Sequence, residues 1–361
     1  MPEPTRPERP SFYVPALDGL RTVAFLMVWW CHALWPSHPG PAPVSLWVGF
    51  LQSGSYGVTV FFVLSAFLIT RLLLLEKERT GGIDLRAYYV RRTLRIWPLY
   101  FLVVAVAVAD AAYYGNLKPK QVLSLLTFTT NWYHVYGGGI PRFAGLLWSV
   151  SVEEQFYLVW PLILSRLSER GLRVLCWSMV PVAFVSRVAF VHHQHTNVGM
   201  WFSTLSHVDA LAYGTLLALG VGRLPALSPW KGLAAILACM AALAFQAHWY
   251  PFVFRDDVID DATAVAYAIV PMIAAAIVGI ALAWKDGPLA HPAVTWVGRL
   301  TFGLYCFHGI VLTYVHGPSL VGLVGSLVVT LALGWFSYRF YETPFLRMKR
   351  RFERVKTRPA N

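Results

Sequence analysis

The sequence predicts an all-α integral membrane protein of about ten transmembrane helices with both termini in the cytoplasm. Three observations lead there. Of 361 residues, 57% are hydrophobic and only 13% charged, a balance that leaves too little polar surface to cover soluble domains of this length. Apolar stretches of about 17 residues or more recur along the chain, long enough at about 1.5 Å per residue to cross a hydrocarbon core of about 30 Å. The basic residues between them cluster on alternate connections.

Taken in order, residues 1–16, MPEPTRPERPSFYVPA, hold four prolines in the first ten positions and no apolar h-region. They read as a cytoplasmic segment rather than a cleavable signal peptide. The helices are expected over 17–35, 55–75, 96–114, 150–167, 173–191, 206–222, 231–249, 262–284, 297–315 and 319–340. Segment 121–133 is too short and polar to cross, and reads as a half-helix or surface helix in an outer loop. No fixed-period repeat or low-complexity tract occurs, so residues 17–345 form one membrane domain followed by a basic cytoplasmic tail, 346–361.

With the N-terminus inside, the inner connections carry Arg6, Arg9, Arg71, Lys77, Arg79, Arg86, Arg91, Arg92, Arg95, Arg166, Arg170, Arg173, Arg223, Lys231, Lys285 and Arg299, and the tail from Arg339. The outer loops hold Lys118, Lys120, Arg142 and Arg255, with Arg187 just inside the outer end of the fifth helix. This asymmetry accounts for the net charge of +12 through topology rather than through a nucleic-acid partner. Cys31, Cys176, Cys239 and Cys306 lie in apolar segments without CxxC spacing, indicating neither disulfides nor a zinc site. His192, His193 and His195 read as surface histidines of an outer turn, and no metal is expected.

Charged side chains inside a bilayer cost about 2.5–3.5 kcal/mol each, so those within the spans are candidates for chemistry. The first helix, LDGLRTVAFLMVWWCHAL, holds Asp18 and Arg21 near its inner end and His32 near its outer end. Arg21 and His32 share one face roughly 16 Å apart; a plain Asp18–Arg21 pair at i, i+3 and a hydrogen-bonded interfacial His32 is the competing reading. LWSVSVEEQFYLVWPLIL places Glu153 and Glu154 at the start of the fourth helix, where Ser149 or Ser151 could cap and the helix dipole would favour the acids. The depth of Glu153 matches that of His32, and a carboxylate holding one imidazole nitrogen leaves the other to accept a hydroxyl proton. In LRAYYVRRTLRIWPLY, Arg91, Arg92 and Arg95 stand at the entrance of the third helix beside Tyr88, Tyr89 and Trp97. They serve either as positive-inside anchors or as guanidinium ligands for phosphate.

These residues, taken together, resemble the membrane-bound acyltransferase 3 family, which O-acylates cell-surface glycans, lipids and some secondary metabolites. LDGLRTVAFLMVWWCHA is similar to its first-helix signature, an arginine, ten residues and a histidine. GVTVFFVLSAFLITRLL, YVRRTLRIWPLY, LWSVSVEEQFYLVWPL, VDALAYGTLLAL, VGRLTFGLYCFHG and YRFYETPF follow in the family's order. Thr22 and Ala66 stand where glycines are usual, and His207 where an arginine often precedes Asp209. The absence of an appended hydrolase-like domain points to a membrane-only form.

The resemblance implies a multi-pass protein of the bacterial plasma membrane that transfers an acyl group, acetyl by family default, from cytoplasmic acyl-CoA to a hydroxyl. The acceptor would be a surface glycan, a glycolipid or a glycosylated metabolite. Arg91, Arg92, Arg95 and Arg21 would hold the acyl-CoA and His32, oriented by Glu153 with Arg21 nearby, would deprotonate the acceptor. Asp18, Glu154 and Asp209 are the expected substrate contacts. His308 and Glu342 read as structural, Glu342 pairing with Arg339 or Arg95, and Cys31 points about 100° away from His32. A multi-pass transporter or flippase is the rival reading, opposed by the missing inverted repeat and midplane acid.

Overall fold

The computed structural model describes residues 12–34, 44–139, 142–194, 197–224, 226–250, 261–284, 286–315 and 319–355. Arg6, Arg9, His195, Arg255 and Lys285 lie outside the described residues, as do the side chains of Arg142 and Arg223. The described chain is helical, with no strand among its elements: α1 Pro15–Ala33, α2 Leu46–Ser53, α3 Gly57–Thr80, α4 Leu85–Tyr113, α5 Pro119–Leu126, α6 Thr130–Val135, α7 Trp148–Arg166, α8 Glu169–Gln194, α9 Asn197–Phe202, α10 Val208–Gly220, α11 Pro229–Trp249, α12 Asp261–Ala283, α13 Pro292–Tyr314, α14 Leu320–Phe336 and α15 Thr343–Arg350.

A helix overlies each of the ten expected spans. Six segments are long and apolar enough to cross a membrane: Leu46–Thr80, Leu85–Tyr113, Glu169–Gln194, Pro229–Trp249, Asp261–Ala283 and Leu320–Arg350. α1, α7, α10 and α13 are not among them: α10 has 13 residues, and the other three carry polar side chains at buried positions. Thirteen of the nineteen residues of α1 are buried, whereas α8 buries only Leu172, Cys176, Ala183, Arg187 and Val191. Inner helices face other helices, so they can carry Asp18, Arg21, Glu153 and His308. Outer helices present apolar side chains such as Val174, Trp177, Trp230, Leu320 and Val321, an exposed surface that suits lipid and would be a liability in water.

Close packing at the centre depends on small residues, as in other membrane bundles. α1 and α13 meet so tightly that a Cβ at Gly298 would strike the Asp18 carbonyl, and one at Gly19 the Leu289 carbonyl. Thr22, the departure from the family's usual glycine, donates its hydroxyl across the same seam to the Val294 carbonyl at 2.7 Å. α3 and α10 form the second seam, where Ala66 packs against Gly214, Thr70 meets Thr215 at 3.2 Å and Trp160 donates to Thr70 at 2.8 Å.

Several boundaries differ from expectation. α4 begins at Leu85 rather than at 96, capped by Asp84 accepting from the Ala87 N–H, so Arg91, Arg92 and Arg95 lie within the helix rather than at its entrance. Segment 121–133 is two short helices, α5 and α6, joined through Phe128 at φ 53°; its ring packs 4.5 Å from Tyr100 and Gln155 binds its carbonyl at 2.8 Å. No side chain caps α7; Leu147 precedes it at the end of a 3₁₀ turn, and the Ser149 and Ser151 hydroxyls bond elsewhere. α14 passes through a π-helical turn, Ser337–Glu342, directly into α15. The tail expected from 346 thus starts inside a helix.

Gly298→Ala should cost about 1–3 kcal/mol of stability, because backbone rather than a mobile side chain opposes the new methyl. Thermal unfolding in detergent checks it; an unchanged midpoint would mean that α1 and α13 are not this close.

Candidate functional site

One cavity of about 830 Å³ dominates the described structure. It runs lengthwise between α1, α3, α4, α7 and α13, and the chain from Tyr338 to Val355 lines one end. From Phe61 to Glu76 along its α3 wall is roughly 22 Å at helical rise. Nine cationic residues line it, Arg21, Arg91, Arg92, Arg95, Arg299, Arg339, Arg347, Lys349 and Arg350, against four acids, Asp18, Glu76, Glu153 and Glu353. A low-dielectric cleft lined by one excess sign concentrates the opposite charge, so this cavity favours an anion.

The cations are not equivalent. Arg21 binds Asp18 at 2.6 Å, which is the simple i, i+3 pair; both residues nevertheless line the cavity. Arg91 is engaged by Glu76 at 2.9 Å and the Phe352 carbonyl at 2.7 Å. Arg92 lies over the rings of Tyr157 and Tyr88, 5.0 and 5.8 Å from their centroids. Arg95 faces Glu342 at 4.0 Å, one of the two partners expected for that glutamate.

At the other end, Val58, Phe61, Phe62, Ser65, Ser149, Val150, Glu153 and Tyr305 form the wall. Glu153 accepts a hydrogen bond from the Ser65 hydroxyl at 2.5 Å. The expected partner was His32, and the structure does not bring the two together. The His32 Nδ1 instead lies 2.9 Å from the Val28 carbonyl one turn back on α1. An acceptor there requires the Nδ1–H tautomer, which makes Nε2 the basic nitrogen. His32 is absent from the cavity lining. It stands beyond it, 5.3 Å from the ring of buried His308, which is itself 5.3 Å from the ring of Tyr305.

His308, assigned a structural part from the sequence, thus neighbours both His32 and the cavity wall. Its Nδ1 is held by the Tyr305 carbonyl at 2.5 Å, and its Nε2 has no partner among the described residues. Tyr305 closes the gap, its hydroxyl meeting Ser149 at 2.5 Å and the Leu146 carbonyl at 2.9 Å. Neither Ser65 nor His308 gave a distinctive signal alone; a serine in FFVLSAFL and a histidine in GLYCFHG become informative only through partners far along the chain.

Glu154 and Asp209 lie outside the cavity lining. Glu154 takes the Trp97 indole N–H at 2.9 Å, since consecutive helical positions point about 100° apart and Glu153 already faces the cavity. Asp209 pairs with fully buried Arg187 at 2.6 Å, and Arg187 also donates to the Ser206 carbonyl and lies over the Tyr267 ring. His207 sits in an aromatic box of Phe62, Trp148, Trp201 and Tyr267, so the positive charge facing Asp209 comes from α8. Ala66 is buried against α10 and does not reach the cavity. Among the described residues no cluster of three or more His, Cys, Asp or Glu could hold a metal ion.

A helical fold with an apolar outer surface and long apolar helices marks a membrane protein, and this one holds a cation-rich internal cavity. The acyltransferase domain family matches residues 14–339, and the chain belongs to that family. Peptidoglycan O-acetyltransferase OatA of Listeria monocytogenes is 25% identical over 92% of this chain and 56% of its own length. A Staphylococcus aureus protein provisionally named an O-acetyltransferase is 26% identical, with coverage of 92% and 57%. A Bacillus subtilis protein provisionally named a peptidoglycan O-acetyltransferase is also 26% identical, with coverage of 92% and 55%. The chain therefore spans little more than half the length of these relatives. No solved structure matches it.

Two outcomes follow from the charge pairs. Asp209→Ala should destabilise the protein by about 3–5 kcal/mol by leaving Arg187 buried without its counter-ion, while affinity for an anionic ligand of the cavity persists; ligand loss in a fully folded variant would return Asp209 to the site. The second concerns Asp84, which binds Arg354 at 2.6 Å. The Ala87 N–H and the Arg354 guanidinium hold its carboxyl below the usual carboxylate range. A lowered folded-state pKa stabilises above the ordinary value of about 3.9 and is lost as pH falls through the lower one. Deuterium exchange over residues 352–355, corrected for intrinsic rate, should stay slow at neutral pH and rise below about pH 4; exchange independent of pH would remove Asp84 as the anchor.

Proposed function

We propose that this chain is an O-acyltransferase of the bacterial plasma membrane that moves an acyl group, acetyl by preference, from cytoplasmic acyl-CoA to a hydroxyl of a carbohydrate-containing acceptor. A peptidoglycan-like glycan is the acceptor class that the named relatives favour. The basic connections favour a reading with both termini and the cationic end of the cavity on the cytoplasmic side and about ten helices crossing. The observation that carries the reading is the continuity of one cavity from its cationic end to the Ser65–Glu153 pair and Tyr305, with the His308 and His32 rings following in sequence behind it.

In this reaction the phosphates of the donor stay among the cations while the pantetheine arm runs along α3, past Arg21 and Asp18. The thioester reaches the end walled by Tyr305. Neutral His32, its Nδ1–H held by the Val28 carbonyl, takes the acceptor's proton on Nε2. The alkoxide adds to the thioester carbonyl, the C–S bond breaks, and CoA leaves as thiolate to be reprotonated. His308, in the same tautomer, supplies a second basic nitrogen beside it. Glu153 keeps Ser65 in place at the thioester end rather than orienting His32. Glu154 and Asp209 support α4 and α8 instead of touching substrate.

Purified protein in detergent should bind acetyl-CoA and release free CoA slowly, faster with a glycan acceptor. His32→Ala should bind the thioester and release no CoA above background, and His308→Ala should slow release by about 10²-fold or more, the usual worth of a positioned acid or base. Undiminished release by His32→Ala would sink its role. Transport of an intact glycan without CoA release would move the transporter reading forward.

A further inference from the structure

We propose that the nucleotide phosphates of the donor are held by Arg299, Arg347 and Arg350, three residues that α13 and α15 contribute to the lining of one cavity, and not by Arg91. The proposal rests on the acyl-CoA reading above and names its phosphate subsite.

The sequence pointed to Arg91, Arg92 and Arg95, but the structure gives each a standing partner. Arg91 is the most committed: Glu76 takes one of its amino groups and the Phe352 carbonyl the other. Displacing a buried carboxylate to accept a phosphate would forfeit a charge-assisted hydrogen bond and leave Glu76 facing the incoming anion. Arg91 instead fastens the chain after α15. That fastening is reinforced by Arg354 on Asp84 at 2.6 Å, by Lys349 and Glu353 at 3.4 Å and by buried Val355.

The result is that α15 is held against α4 with Arg347 and Arg350 lining the cavity. No acidic side chain lies within ion-pair distance of Arg299, Arg347 or Arg350 among the described residues. Arg299 reaches the cavity from α13, and its Nε is buried with no hydrogen-bond partner. A buried, unsatisfied guanidinium nitrogen in the same cavity as two arginines without acidic partners is what a phosphate-bearing ligand would satisfy, and the planar forks of arginines match phosphate oxygens in bidentate fashion. The ligand class is a thioester whose carrier ends in a phosphorylated nucleotide. Anionic lipid headgroups present the same phosphate chemistry, and the test separates the two.

Binding is measured by titration calorimetry in neutral detergent with three probes: acetyl-CoA, 3′-dephospho-acetyl-CoA and S-acetylpantetheine, which lacks the nucleotide and its phosphates. The wild type should bind them in descending order of affinity. Arg347→Gln with Arg350→Gln, both on exposed side chains, should weaken acetyl-CoA by tenfold or more, flatten the preference for acetyl-CoA over S-acetylpantetheine, and leave S-acetylpantetheine binding unaltered. Arg299→Gln should reproduce the pattern in weaker form. Unchanged acetyl-CoA affinity in the double variant overturns the subsite, as does equal loss for all three probes. If the double variant loses only its retention on vesicles containing anionic lipid while acetyl-CoA affinity holds, the arginines serve the membrane and the subsite is overturned. If wild type binds S-acetylpantetheine but not acetyl-CoA preferentially, the subsite fails while the thioester reading survives; if it binds none of the three, the donor reading itself fails.

Discussion

A charge drawn into an apolar slab must find a counter-charge or hydrogen-bond partner within the chain, because lipid offers none and an isolated ion there costs several kcal/mol. That constraint sorts the molecule from its centre outwards. Helices bearing Asp18, Arg21, Glu153 and His308 are packed inside, where other helices supply partners, and the helices around them turn apolar side chains outward and charges such as Arg187 inward. The packing of α1 against α13 through Gly298, and against the turn before α13 through Gly19, is the structural counterpart. That close approach sets Asp18 and Arg21 on α1 and Tyr305 on α13 around one cavity.

The same constraint separates structure from site. Arg187 and Asp209 are both buried and matched at 2.6 Å, and neither lines the cavity, so their charges offset each other locally. In the cavity the cations outnumber the acids, and Arg299, Arg347 and Arg350 have no acidic partner within ion-pair distance among the described residues. Such a surplus draws anions into the cavity, which is what the proposed donor would use. Whether a charge is paired thus separates the two groups, the Arg187–Asp209 pair fully buried and Arg347 and Arg350 exposed along the cavity lining.

What the sequence made legible was the part governed by one-dimensional pattern: the positions of the helices, the inner polar motifs, the Asp18–Arg21 spacing and the family. Where it misled, the missing information was angular or long-range. Equal depth of Glu153 and His32 says nothing about which way each points around its helix axis, and the structure turns Glu153 to Ser65. The start of α4 was placed eleven residues late because arginines depress apolarity, although a helix needs no hydrocarbon to continue beyond the membrane. The helical course beyond 340 also went unread: Pro344, well tolerated in a first turn, opens α15. His308 gains meaning only beside His32, 276 residues away by chain and 5.3 Å away by ring.

The placement of Tyr305 bears on how two substrates of opposite character could meet. The cationic end of the cavity suits a phosphorylated donor and repels nothing that a glycan carries, but a single open channel from that end to His32 would let water and small anions through the membrane. Tyr305, fixed by Ser149 and the Leu146 carbonyl, stands between the cavity and the histidines. In the proposed reaction, therefore, the thioester approaches from one side of this ring and the acceptor hydroxyl from the side of His32, so that only the acyl group has to pass. Such a partition asks the enzyme to move one aromatic side chain rather than whole helices, which is compatible with a core as closely packed as the α1–α13 seam.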